Sequence, residues 1–196
     1  IRATSFHYAD LINSTLFIII IIESVGQFYG IADRYFYNSV EEGAISAINY
    51  AQTLVSIPIS IIAVPLATTF FTKISIDIED ESLTVFNESI KNFISIILII
   101  FIPIFFIIHF WGFEIISLLL QRGKFDINAS SKTTTALKYL NFGLPFYAIY
   151  LIFNKVLYGA KLIKPLLFIT IGGIFIKIIF NSFFVEYLDF VGLTLS

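Results

Sequence analysis

DRYFYNSVEEGAISAINYAQTLVSIP, residues Asp33–Pro58, joins the end of one long apolar segment to the start of another. It opens on the charge pair Asp33 and Arg34 and turns through an acidic loop with Glu41, Glu42 and Gly43. It then enters an apolar run dotted with Asn49, Gln52, Thr53 and Ser56. An unsatisfied polar group at membrane depth costs on the order of several kcal/mol, so such groups persist on a face that is packed or wet. The stretch therefore reads as the wall of a polar cavity inside a membrane protein.

Composition supports that setting. The chain is 58% hydrophobic and 13% charged, against about 25% charged in a soluble domain. Mean hydropathy is +0.91. A water-soluble fold of 196 residues could not cover this much apolar surface, which points to an integral membrane protein. The net charge of −2 leaves no basic footprint, so no nucleic-acid partner is expected. Cysteine is absent, and His7 and His109 lie far apart in sequence, so neither a metal nor another cofactor is expected. No P-loop, GxGxxG, HExxH or GxSxG pattern occurs, which points away from an enzyme. The chain does not begin with Met, and its closing GLTLS reads as the opening of another segment. It is expected to be a piece of a longer protein.

The expected fold is an all-α, polytopic transmembrane bundle with spans at about 11–32, 44–71, 93–111, 131–157 and 165–184. Residues 1–10 are polar enough for an interface. Pro58 and Pro65 should kink or break the second span. Leu83, Phe86, Ile90 and Phe93 recur at helical spacing, which suggests an interfacial helix over about 82–92. A second short interfacial or re-entrant helix is expected over 113–121, with Gly123 as its C-cap. Ser39 with Glu42 has the spacing of a capping box, and Asp126, Asn128 and Ser130 are candidate caps for the fourth span. Gly26 and Gly30 form a small-xxx-small pair that suggests close helix–helix approach. Arg2, Lys73, Lys91, Lys161 and Lys164 flank one side, against Arg34, Arg122, Lys124 and Lys132 on the other. The bias leans toward a cytoplasmic N-terminal side.

The polar groups inside the spans are where function would sit. Glu23 is either a functional carboxylate facing the bundle interior or a group near a cavity mouth, neutral and hydrogen-bonded. Asp33 and Arg34 would pair with each other at the helix end. Lys138, Lys155 and Lys177 can snorkel toward an interface. Cations on a low-dielectric cavity wall would instead suit an anionic ligand such as a lipid-borne phosphate.

Four motifs fall in one order. DRYF…EGAISAINYA…LVSIP, with Ala67–Thr68 after it, resembles the seventh and eighth helices of the MurJ/MviN family. LLLQRGKFD (Leu118–Asp126), FGLPFYAIYLIFNKVLYG (Phe142–Gly159) and VGLTLS (Val191–Ser196) continue the resemblance. These are lipid II flippases of peptidoglycan synthesis, within the multidrug/oligosaccharidyl-lipid/polysaccharide exporter superfamily. The resemblance implies that residues 1–196 are most of one lobe of a two-lobe transporter of the bacterial cytoplasmic membrane. Its partners would be a lipid-linked saccharide diphosphate substrate, membrane lipids and the missing N-terminal lobe. The implied cavity residues are Glu23, Arg34, Asn49, Gln52, Thr53 and Lys155. Thr53 stands where the family typically carries a cavity-lining Arg, and Lys155 matches a second family Arg without its bidentate fork.

The expected activity is alternating-access flipping of a polyprenyl-diphosphate-linked saccharide, foremost lipid II. The Thr at 53 keeps open an exporter of another lipid-linked glycan, such as an O-antigen or capsule unit. A non-transporting scaffold paralogue and, more weakly, a cation-coupled drug antiporter are the rivals from other classes.

Overall fold

The computed structural model describes residues 8–36, 40–79, 83–188 and 190–195, and among these all regular structure is helical. The elements are α1 (Tyr8–Phe36), α2 (Ala44–Pro58), a π turn (Ile59–Ala63), α3 (Val64–Glu79), α4 (Leu83–Leu120), α5 (Ile127–Gly159), α6 (Ile163–Leu188) and α7 (Phe190–Leu195). Five stretches are long and apolar enough to cross a membrane: Leu16–Phe36, Ala44–Lys73, Thr84–Leu120, Ile127–Gly159 and Ile163–Leu188. The protein is a multi-pass membrane protein. The expected interfacial residues 1–7 and the cap Ser39 lie outside the described residues.

The two prolines of the second span shape its middle. Pro58 ends α2, and Pro65 is the second residue of α3. Neither ring can donate a backbone hydrogen bond. Between them the chain widens into a π turn, closed by the Val64 N–H donating to the Ile59 carbonyl five residues back. The expected discontinuity is thus a bulge of one extra residue within a continuous rod.

Over residues 83–120 a kink at Trp111 sets off the short helix that the sequence suggested over 113–121, whereas the one suggested over 82–92 is continuous with the span. Nothing between Lys91 and Phe93 breaks the backbone ladder, so the amphipathic start runs straight into the apolar run. The only interior departure from helical geometry is Trp111 (φ −107°, ψ 18°). At about 1.5 Å per residue, the part of α4 before the kink is about 42 Å long, beyond a ~30 Å hydrocarbon core. Gly123 is not the helix C-cap. It takes φ 61° in the turn closed by the Phe125 N–H and the Arg122 carbonyl.

α5 is the hub, packing against α2, α3, α4, α6 and α7. Its N-cap is Asp126, whose carboxylate accepts from the Ala129 N–H at 2.8 Å. The cap of α2 is Gly43 at φ 82°, with no side-chain bond. The buried stripe of α5 runs through Ser130, Thr133, Thr134, Leu137, Asn141, Leu144, Ala148 and Ile152, one helical face. Small and hydroxylated residues at one end let α4 come close: a Cβ on Gly112 would already touch Leu137. Asn141 Nδ2 donates to the Phe105 carbonyl at 2.8 Å. At the other end Phe70 lies against Phe93, ring centroids 4.0 Å apart, in a cluster with Ile97, Phe101, Leu144 and Ile152. A second cluster joins Ile48, Ala51, Ile116, Leu137, Val185 and Leu193.

α1 is held mainly by α6, and the two run parallel. Tyr29 Oη donates to the Thr170 carbonyl (3.2 Å), and one turn further Asp33 Oδ1 meets Lys177 Nζ and Asn181 Nδ2, each at 3.0 Å. This corrects two expectations. Asp33 pairs across helices and not with Arg34, and Lys177 does not snorkel but sits largely buried in that pair. The close approach also comes from the other partner. A Cβ on Gly26 or Gly30 would meet open space, whereas one on Gly173 of α6 would collide with the Tyr29 hydroxyl.

Candidate functional site

The face of α5 opposite its buried stripe is open. Tyr139, Phe142, Tyr147 and Tyr150 are exposed along it, and Asn154 follows one turn on. Two clefts flank this ridge and share Tyr147. The first, of about 810 Å³, lies between α1, α5 and α6. Glu23, Gln27, Tyr29, Asn154, Lys155 and Tyr158 supply most of its polar lining. The second, of about 620 Å³, lies between α2, the π turn, α5 and α7, and is lined by Gln52, Val55, Ser56, Ile59, Phe142 and Leu195 among others.

Of the six residues expected in one cavity, Glu23 and Lys155 share the first cleft and Gln52 lines the second. Asn49, Thr53 and Arg34 line neither cleft, although all three are exposed. The Thr53 hydroxyl turns back to the Asn49 carbonyl at 2.8 Å. Ser56 and Ser60 bond in the same way to Thr53 O (2.7 Å) and Ile57 O (3.1 Å). A hydroxyl that bonds its own helix needs no wet face. Asn and Gln carry an amide donor and acceptor that one backbone carbonyl cannot satisfy, so Gln52 is the better marker of polar space.

Sequence reasoning passed over the tyrosines as site residues. Tyr147, Tyr150, Asn154 and Tyr158 recur at intervals of three and four, one stripe of α5. That spacing was readable, but in a chain with 10 Tyr and 23 Phe an aromatic stripe carries little weight until its neighbours are known. The Asn154 Nδ2 donates to Tyr150 Oη at 3.0 Å, and the Tyr147 and Tyr150 rings are 5.9 Å apart. The Tyr158 hydroxyl lies beside the Glu23 carboxylate. The result is a cleft with one carboxylate, one ammonium, two amides and several phenols, suited to binding a polar group.

At the loops on the opposite side, Lys132 Nζ lies 3.0 Å from Glu41 Oε1 and donates to the Glu42 carbonyl at 3.1 Å. This ties the α1–α2 connection to the first turns of α5.

The chain is similar to known proteins over most of its length. The Borreliella burgdorferi protein called probable lipid II flippase MurJ is 27% identical over 159 residues, 81% of this chain and 31% of the relative. The Buchnera aphidicola (subsp. Schizaphis graminum) protein of the same description is 29% identical, covering 82% of this chain and 31% of the relative. A solved structure, lipid II flippase MurJ in an inward closed conformation, superposes with a TM-score of 0.78 at 25% identity. That match covers 89% of this chain and 37% of the other. The chain thus spans about a third of the length of the curated relatives it matches. The profile of one family, lipid II flippase MurJ, matches residues 9–196, and with that coverage the chain belongs to the MurJ family.

Proposed function

We propose that the protein carrying this chain flips a polyprenyl-diphosphate-linked saccharide across the bacterial cytoplasmic membrane by alternating access, with lipid II as the substrate. It acts as a transporter and not as an enzyme. The observation that carries this is the pair of clefts on the open face of α5, in a chain of the MurJ family. Polar side chains gather there against helices that are otherwise oily, and the face has room for a head group. Residues 1–196 form most of one lobe, and the rest of the protein supplies the facing wall. Glu23, Lys155 and Gln52 contact the cargo directly. Arg34, Asn49 and Thr53 are exposed on the same elements and join the wall only if the lobes rearrange.

The test is transport by the full-length protein in proteoliposomes, following fluorescent lipid II from one leaflet to the other. The expected result is flipping well above protein-free vesicles and rescue of cells depleted of their own flippase. Neither result appearing would overturn the reading. One observation favours a second substrate: at position 53 a neutral hydroxyl, already bonded to its own helix, stands where the family typically has a cation. If an O-antigen or capsule lipid crossed faster than lipid II, that glycan would be the cargo.

A further inference from the structure

We infer that the cleft between α1, α5 and α6 reads the neutral saccharide of the lipid-linked head group and not its diphosphate, an inference that rests on the transport reading above. The argument is one of matching donors to acceptors. A diphosphate presents only acceptors, so its site needs donors and positive charge. This cleft brings one ammonium, Lys155, and one carboxylate, Glu23, so its formal charge is nil.

Asn154 and Tyr150 give the cleft a neutral polar edge. The Asn154 amide lies 3.0 Å from Tyr150 Oη, and its other polar atom is buried with no hydrogen-bond partner among the described residues. An uncharged amide and a phenol each donate and accept, whereas a phosphate only accepts. An acceptor and a donor one helical turn apart match a sugar hydroxyl, which does both. The half-exposed Tyr147 and Tyr150 rings lie 5.9 Å apart at 34° and offer electron-rich faces to the C–H edge of a pyranose. The diphosphate must then be held by cations outside this cleft.

The experiment uses the full-length protein in nanodiscs and two probes, undecaprenyl diphosphate and the same lipid carrying the N-acetylated disaccharide-pentapeptide. Affinities are read by native mass spectrometry. Asn154→Ala should weaken the saccharide-bearing lipid by about fivefold and the bare diphosphate lipid by less than about twofold, the scale of one lost hydrogen bond. Tyr150→Phe, which keeps the ring, should show the same selectivity and carries the test if Asn154→Ala does not fold. Equal weakening of both lipids by the Asn154 and Tyr150 variants overturns the inference while leaving the transport reading intact. Wild-type protein that binds neither lipid overturns the transport reading itself.

Discussion

Asp33 is tied into the bundle by two partners from another helix that converge on one oxygen, Lys177 Nζ and Asn181 Nδ2 at 3.0 Å each. Removing one member of such a buried pair strands the other and costs about 3 kcal/mol, whereas replacing both is far milder. Lys177→Met and Asp33→Asn should each lower the unfolding stability of the full-length protein by about that amount, and the double variant by much less. Thermal or denaturant unfolding in detergent, arranged as a double-mutant cycle, checks this, and additive losses would mean the pair contributes nothing. The sequence offered Arg34 as the partner because it is adjacent. Residues at i and i+1 of a helix do not face each other, so that reading had geometry against it. Lys177 lies 144 positions away, and no local pattern points to it.

At the scale of elements, prolines and glycines were legible as signals and less so as outcomes. Pro58 and Pro65 did mark a discontinuity, but the form it takes, a π turn with the apolar face kept in register, depends on Ala63 and Phe70 reaching the same core. A π turn holds one residue more than an α turn. Deleting Ile61, which is 68% exposed, should therefore return Ile59–Ala63 to α geometry and leave both flanking helices in place. Deleting Ile99, 72% exposed in the regular part of α4, should rotate everything after it by about 100° and expel Phe101 from the core. Size-exclusion profiles and melting temperatures of the two deletions decide the matter: the first should stay monodisperse and the second aggregate. If both behave alike, the π turn is not a removable insertion. The helix expected over 82–92 was read from amphipathic spacing. A change of environment does not itself break a helix, so it runs on into the span, whereas the short helix expected over 113–121 does follow a kink, at Trp111.

For the whole molecule, the question is which exposed surface meets lipid and which meets water. Burial within one lobe cannot separate them, since Phe168 at 75% and Tyr150 at 42% are both exposed. Their positions can: Tyr150 lines the first cleft, and Phe168 does not. This chain has no Cys, so single cysteines can be read cleanly in a full-length protein freed of any others. Cysteines at Tyr150 and Lys155 should react with a water-soluble maleimide, and those at Ile99 and Phe168 should not. Unreactive cleft positions would mean the cleft is dry and would remove its role in carrying a polar head group.

The sequence by itself determined the class of solvent, the number and rough position of the oily helices, and the family. Those follow from composition, from runs of about 20 apolar residues and from motifs, all local quantities. Only the tertiary structure decided which polar residues share a space. It brought Glu23 to Lys155 and Tyr158, divided Gln52 from them by the α5 ridge, and turned the Thr53 hydroxyl back on its own helix. In a membrane nearly every outward position is apolar whichever way it faces, so the hydropathy pattern carries little rotational information. The rotation of each helix is fixed by what packs against it.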